Sequence, residues 1–107
     1  METAYHMQKQ ELIVPMPKEL DHHAAKTLGR EIDFLVGSWQ IKRLVLDFTD
    51  TQFMDSSGIG VIIGRKKTMD LYGGQLVVTH LGERARQIFE KSGLLQLVET
   101  VDDGEER

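Results

Sequence analysis

The apolar residues of this chain change their spacing several times, from the short continuous runs of buried strands to the three- and four-residue spacing of amphipathic helices. Continuous runs lie at 12–14, 43–48 and 76–78, and helical spacing covers 21–36, 56–71 and 83–91. Strands that alternate with helices need crossover connections between parallel neighbours. The pattern therefore predicts an α/β fold with a mixed, mostly parallel β-sheet and helices packed on it, in the order β-β-α-β-α-β-α-β.

The outer elements of this order have weaker signals. We expect a short first strand within 3–8 and a second within 12–16, which Pro15 and Pro17 end because proline cannot donate to a strand ladder. A last strand at 97–101 closes the order. The residues from 99 to 107 form an acidic tail with a frayed end, since they carry Glu99, Asp102, Asp103, Glu105 and Glu106.

Length and composition limit the classes of protein to which the chain can belong. With 107 residues, 40% of them apolar, residues 1–107 form a single domain. The lack of cysteine excludes a disulfide scaffold, a cysteine-ligated zinc site and a thiol nucleophile. A net charge of −4 disfavours direct binding of nucleic acid, and no long apolar run predicts a membrane span or an export signal. We expect a cytoplasmic protein without cofactor or metal.

The most informative segment, 53–65, joins a buried strand to the second helix. Asp55, Ser56 and Ser57 are all residue types that accept hydrogen bonds from the free N–H groups of a first helical turn. Glycine lowers helix propensity by about 1 kcal/mol relative to alanine, so Gly58, Gly60 and Gly64 in one helix need a further reason. Either the sheet packs closely beneath them, or a partner protein docks flat on this turn. The inward residues predicted for this helix are Ile59, Ile62, Ile63 and Met69.

Several known catalytic and ligand-binding motifs do not match the order of residues in this chain. The chain has no Gly-Lys pair for a phosphate loop, and Gly58-x-Gly60 is not followed by the third glycine of a dinucleotide fingerprint. The serines lack the glycine that a nucleophile elbow needs on their N-terminal side. A phosphorylated Asp55 would need further acidic residues for magnesium, which the second strand does not offer. His22 and His23 are adjacent, so they point about 100° apart on a helix and do not converge on one metal ion.

The segment 53–65 reads Phe-Met-Asp-Ser-Ser-Gly-Ile-Gly-Val-Ile-Ile-Gly-Arg and has three companions in matching order. These are Glu-Leu-Asp-His-His-Ala at 19–24, Gly-Gly-Gln-Leu-Val-Val at 73–78 and Phe-Glu-Lys-Ser-Gly-Leu at 89–94. Together they resemble the bacterial anti-sigma factor antagonists of the STAS fold, over most of the chain. One departure is Lys18, which stands where that family usually has glycine before Glu-Leu-Asp.

The resemblance implies a phosphorylation switch rather than an enzyme. In that family an anti-sigma factor that is itself a serine kinase phosphorylates the first serine after the aspartate, which is Ser56 here. The unmodified chain would bind this kinase and release a sigma factor, the phosphorylated chain would not bind, and a PP2C-type phosphatase would reset it. The resemblance implies Asp21, Asp55, Ser56 and Ser57 as partner-binding residues. The close approach that the glycines suggest adds Gly58 and Gly60 to this set.

Two alternatives remain at this stage. The chain could be a STAS binding module of another signalling or stress complex that controls no sigma factor. From a different class, it could be a small serine hydrolase that uses Ser56 or Ser57. Phosphate incorporation from a kinase and ATP distinguishes the switch from the hydrolase, which would instead turn over an activated ester.

Overall fold

The structure is a computed structural model that describes residues 5–101. Its helices are α1 (His22–Trp39), α2 (Ser56–Leu71) and α3 (Glu83–Ser92), and a 3-10 turn follows at Leu94–Gln96. Its strands are β1 (His6–Gln8), β2 (Glu11–Pro15), β3 (Glu19–Leu20), β4 (Arg43–Asp47), β5 (Phe53–Met54), β6 (Gln75–Thr79) and β7 (Glu99–Val101).

The main sheet has the strand order β1-β2-β4-β6-β7. The hairpin of β1 and β2 is antiparallel, whereas β2, β4, β6 and β7 are parallel to one another. This arrangement confirms the predicted mixed, mostly parallel sheet and the predicted order of its strands and helices. The central strand β4 is buried at Leu44, Val45 and Leu46, as its continuous apolar run indicated.

The core lies between one face of this sheet and the helices. Because alternate strand residues point to opposite faces, the register stacks two rows of apolar side chains on that face. The rows are Leu12–Leu44–Leu76 and Val14–Leu46–Val78. Buried residues of all three helices, among them Ile32, Ile62 and Phe89, join the same cluster. The ring of Phe89 meets Phe48 edge-on, with centroids 5.7 Å apart.

The sequence analysis did not predict a second, two-stranded sheet, in which β3 and β5 run parallel. Its register pairs Glu19 with Phe53 and Leu20 with Met54. Lys18 lies at the start of this small sheet. Its carbonyl accepts hydrogen bonds from the amides of Gln52 at 2.8 Å and Phe53 at 3.1 Å. The lysine that replaces the family's glycine therefore sits in a loop fixed by its backbone.

One predicted core residue of α2 is wrong. Ile63 was expected to face inward, but its side chain is 37% exposed, and Val61 is buried instead. The buried positions of α2 are Gly58, Val61, Ile62 and Met69, which follow the spacing of one helical face. Ile63 lies about 100° beyond Ile62 around the axis, which places it outside that face. Three consecutive apolar residues cannot all be buried by a sheet on one side.

The ends of the chain are only partly described. The expected first strand within 3–8 is β1, His6–Gln8, and residues 1–4 lie outside the described residues. The acidic tail predicted for 99–107 begins inside β7, where Glu99 and Thr100 pair with Val77 and Val78, and residues 102–107 are not described. Among the described residues, no helix is long and apolar enough to cross a membrane.

Candidate functional site

The first turns of α1 and α2 lie beside each other, because each helix begins directly after one strand of the small sheet. Asp21 is the N-cap of α1, and its carboxylate accepts from the Ala24 amide at 3.0 Å. Asp55 is the N-cap of α2 and accepts from the Ser57 amide at 2.8 Å. The Asp55 amide in turn donates to the Leu20 carbonyl at 3.4 Å. The structure thus brings together the two aspartates that the sequence resemblance implied as partner-binding residues.

The two serines after Asp55 have different surroundings. Ser56 is the first residue of α2 and is exposed, and its hydroxyl has no hydrogen-bond partner within residues 5–101. Ser57 is half-buried, and its hydroxyl oxygen lies 3.4 Å from Nδ1 of His22, the first residue of α1. Of the two hydroxyls, that of Ser56 is the one open to an incoming protein. The contact between Ser57 and His22 was not predicted, because 35 residues separate them.

The three glycines of α2 differ in the space around them. A Cβ atom at Gly58 would lie 2.5 Å from Cγ of Met54 and 3.1 Å from Cδ2 of Leu20, so this glycine lets α2 approach the small sheet. By contrast, a Cβ atom at Gly60 or Gly64 would meet nothing within 4 Å. Close packing within the chain explains Gly58 and leaves Gly60 and Gly64 without an internal reason.

A stripe of exposed residues runs along α2 from the first residue of the helix. Ser56, Gly60, Ile63 and Lys67 are all exposed and follow the spacing of one helical face. We call these four residues the α2 stripe. Phe53, just before the helix, is also 46% exposed. The bare backbone at Gly60, beside the exposed Ile63, suits a protein surface that packs closely against this helix. The sequence analysis missed Ile63 because it assigned that residue to the core.

An ion pair between Asp33 of α1 and Arg65 of α2 joins the two helices beyond their first turns. Arg65 Nη2 donates to Asp33 Oδ2 at 3.1 Å, and Arg65 Nε lies 3.0 Å from Asp33 Oδ1. The Thr68 hydroxyl donates to the same carboxylate at 2.9 Å. Gly29 leaves room for the arginine, since a Cβ atom there would collide with the guanidinium. The sequence analysis did not predict this helix contact.

The described residues hold no cluster of metal ligands and one serine–histidine contact. Within residues 5–101, no three side chains among histidine, aspartate and glutamate could hold a metal ion together. The 3.4 Å separation of Ser57 and His22 exceeds the usual 2.6–3.2 Å of a nucleophile and its base. In the same part of the chain, no carboxylate lies within ion-pair distance to orient the His22 ring. The arrangement instead offers an exposed hydroxyl at a helix start, on a surface suited to docking.

Comparisons with known proteins identify the family and the fold of the chain. The model of the STAS domain family matches residues 3–106. The anti-sigma F factor antagonist of Paenibacillus polymyxa is 35% identical over 92 residues, which are 86% of this chain and 79% of that relative. The anti-sigma-B factor antagonist of Bacillus subtilis is 31% identical over 81 residues, or 76% of this chain and 72% of that relative.

A solved structure, described as the Bacillus cell fate determinant SpoIIAA in the phosphorylated form, superposes with a TM-score of 0.78 at 25% identity. The alignment covers 98% of this chain and 94% of that one. The family match spans nearly the whole chain, and the strand order and helix order found here agree with that solved fold. The chain therefore belongs to the STAS domain family.

Proposed function

We propose that this chain is an anti-sigma factor antagonist of the cytoplasm, a binding protein switched by phosphorylation of Ser56. The observation that carries the proposal is the exposed Ser56 hydroxyl at the start of α2, beside two capping aspartates and at the head of the α2 stripe. Unmodified, the chain binds an anti-sigma factor that is a serine kinase, and the sigma factor is released. A PP2C-type phosphatase removes the phosphate and restores binding.

The position of Ser56 explains why a phosphate there would leave the fold intact. Phosphorylation adds about −1.5 to −2 charges and three acceptor oxygens. The start of α2 has free backbone N–H groups and the positive end of the helix dipole, both of which favour an anion. Because the Ser56 side chain is exposed, the new group remains in water. We therefore expect the phosphorylated chain to remain folded.

The phosphate would weaken binding, because a docked partner would cover it. The dianion would lie next to the carboxylate of Asp55 and close to that of Asp21, and it would lose water when the partner covers it. An uncompensated charge of this kind costs about 3–4 kcal/mol in a covered interface, which weakens binding by a few hundredfold. That ratio is large enough to act as a switch.

The residues Asp21, Asp55, Ser57, Gly58 and Gly60 have different roles in this proposal. Asp21 and Asp55 fix the starts of the two helices and border the docking surface, and Gly58 fixes the distance between α2 and the small sheet. Gly60 offers the partner bare backbone. Ser57 is covered on one side by His22 and contributes its backbone amide to the Asp55 cap.

Titration calorimetry with the purified anti-sigma kinase tests the proposal. We expect Ser56→Asp to bind at least tenfold more weakly than wild type, and the phosphorylated chain to bind more weakly still. Ser56→Asn is the matched control, because asparagine has nearly the size of aspartate but adds no charge. Equal affinity of wild type and a folded Ser56→Asp would contradict the switch.

A second measurement separates the proposal from hydrolysis. Wild type, Ser56→Ala and Ser57→Ala are compared for turnover of an activated ester. The proposal predicts the same background rate in all three. A wild-type rate above background that is lost in either variant would instead identify a serine nucleophile.

A further inference from the structure

A groove of about 370 Å³ lies between α1 and α2 and begins at His22 and Ser57, next to the switch serine. Its apolar lining is aliphatic or small, from Ala25, Gly29 and Val61. The charged side chains along it are Lys26, Arg30 and Arg65, with Asp33 as the acidic one. The proposed switch does not use this groove.

The charges of the groove are not balanced. Arg65 is engaged by Asp33 in the ion pair that joins the two helices. Lys26 and Arg30 are both exposed, one turn apart on α1, and no carboxylate within residues 5–101 lies at ion-pair distance from either of them. The chain as a whole carries a net charge of −4. Within residues 5–101, the groove therefore carries two exposed cations without an opposite charge, on a chain that is acidic as a whole.

The shape and lining of the groove indicate which class of anion it fits. No phenylalanine, tyrosine or tryptophan lines it, and the sequence has no glycine-rich phosphate loop. Side chains one turn apart on a helix are about 6 Å apart. Alternate side chains of an extended peptide are separated by about 6.6 Å and point the same way. Two carboxylates at alternate positions of an extended segment match this spacing.

We propose that the groove binds an acidic, extended segment of the anti-sigma partner, with carboxylates that pair with Lys26 and Arg30. This inference rests on the proposed function, because the partner that covers Ser56 must also reach the groove that begins beside it. Charges at the rim of an interface act mainly on the association rate and its salt dependence. The groove would therefore guide the partner to the switch surface, and Ser56 would decide whether docking is completed.

The first experiment follows the groove directly, by titrating the isotope-labelled chain with the peptide acetyl-Glu-Leu-Glu-Leu-Glu-amide in amide NMR spectra. We expect shifts confined to residues along the groove, and their loss in the double variant Lys26→Glu, Arg30→Glu. The control is Lys91→Glu, which makes one such charge reversal on exposed α3, outside the groove. Shifts that are scattered, or that persist in the double variant, would overturn the inference. So would groove shifts produced by ATP or inorganic phosphate but not by the peptide.

The second experiment uses the purified anti-sigma kinase in stopped-flow association at two salt concentrations. We expect the double variant to associate at least tenfold more slowly at low salt, with a weaker salt dependence, while Lys91→Glu behaves as wild type. Ser56→Asp is measured alongside. If the double variant associates as wild type does but Ser56→Asp still binds weakly, the groove inference is wrong and the switch stands. If Ser56→Asp binds as tightly as wild type, the switch itself is wrong.

Discussion

Asp21 and Asp55 are the N-caps of neighbouring helices because the residues before them, Leu20 and Met54, are paired in a parallel sheet of two strands. Two residues per strand are enough to set the starts of α1 and α2 side by side. The hydroxyl of Ser56 and the ring of His22 are then the first side chains of the two helices. The proposed docking surface is thus positioned by backbone pairing and capping rather than by a long loop.

We expect Ser56 to be the only residue phosphorylated by the cognate kinase. Ser56 is exposed at the first position of α2, whereas Ser57 is half-buried against His22. Phosphopeptide mass spectrometry of kinase-treated protein tests this assignment. Ser56→Ala should lose the phosphate and Ser57→Ala should keep it. Modification found on Ser57 alone, or unchanged in Ser56→Ala, would show that the assignment is wrong.

Ser56→Asp should stay folded, with a free energy of unfolding within about 1 kcal/mol of wild type, because a negative charge is favourable at a helix start. Chemical denaturation measures this difference, and Ser56→Asn provides the uncharged reference. Raising the salt concentration should recover only part of the lost affinity for the kinase, since ions screen charge repulsion but do not restore water to a covered charge. Full recovery at high salt would indicate that simple repulsion accounts for the loss.

Gly58 and Gly60 should respond oppositely to alanine. Gly60→Ala places a methyl group in open space, so gained helix propensity should raise stability by up to about 1 kcal/mol. Gly58→Ala places the same group against Met54 and Leu20, so overpacking should lower stability by about 1–3 kcal/mol. Thermal melts compare the two. Gly60→Ala should nevertheless bind the kinase more weakly. If the variant is more stable and binds the kinase as tightly as wild type, Gly60 is not part of the docking surface.

The contact between Asp33 and Arg65 should couple the two helices energetically. A double-mutant cycle with Asp33→Ala and Arg65→Ala should give a coupling of about 1–2 kcal/mol, less than a fully buried pair, because the Asp33 side chain is 44% exposed. The control is Lys66 with Asp70, an exposed pair four residues apart on α2, where about 0.3–0.5 kcal/mol is expected. Equal couplings for the two pairs would mean that the helix contact adds nothing beyond a surface ion pair.

Much of the fold could be predicted because its signals are local. Asp21, Asp55 and Gly93 mark helix ends by their residue type, and the structure places all three at caps. The runs at β4 and β6 are apolar enough to identify buried strands. By contrast, β3 and β5 have two residues each, which is too few for any hydrophobic period to appear.

The parts of the site that were missed depend on contacts between distant residues. The sequence offers no sign that Asp33 pairs with Arg65, 32 residues away, or that Ser57 meets His22. Ile63 was misassigned for a different reason: in a run of apolar residues on a helix, hydrophobicity does not show where the buried face ends. The glycines could be noticed in the sequence, but only the space around each one separates Gly58 from Gly60.

The junction of Arg65, Asp33 and Thr68 bears on how information passes through this molecule. It fixes α1 and α2, which carry the proposed docking surface, relative to each other. Neither helix can rotate without breaking an ion pair and a hydrogen bond. A phosphate on Ser56 therefore has no hinge to move. The two states of the chain would share one backbone and differ only in the chemical group displayed, which makes the chain a fixed template that its partner reads. Evolution of partner choice would then act on exposed side chains of that template and leave its framework unchanged.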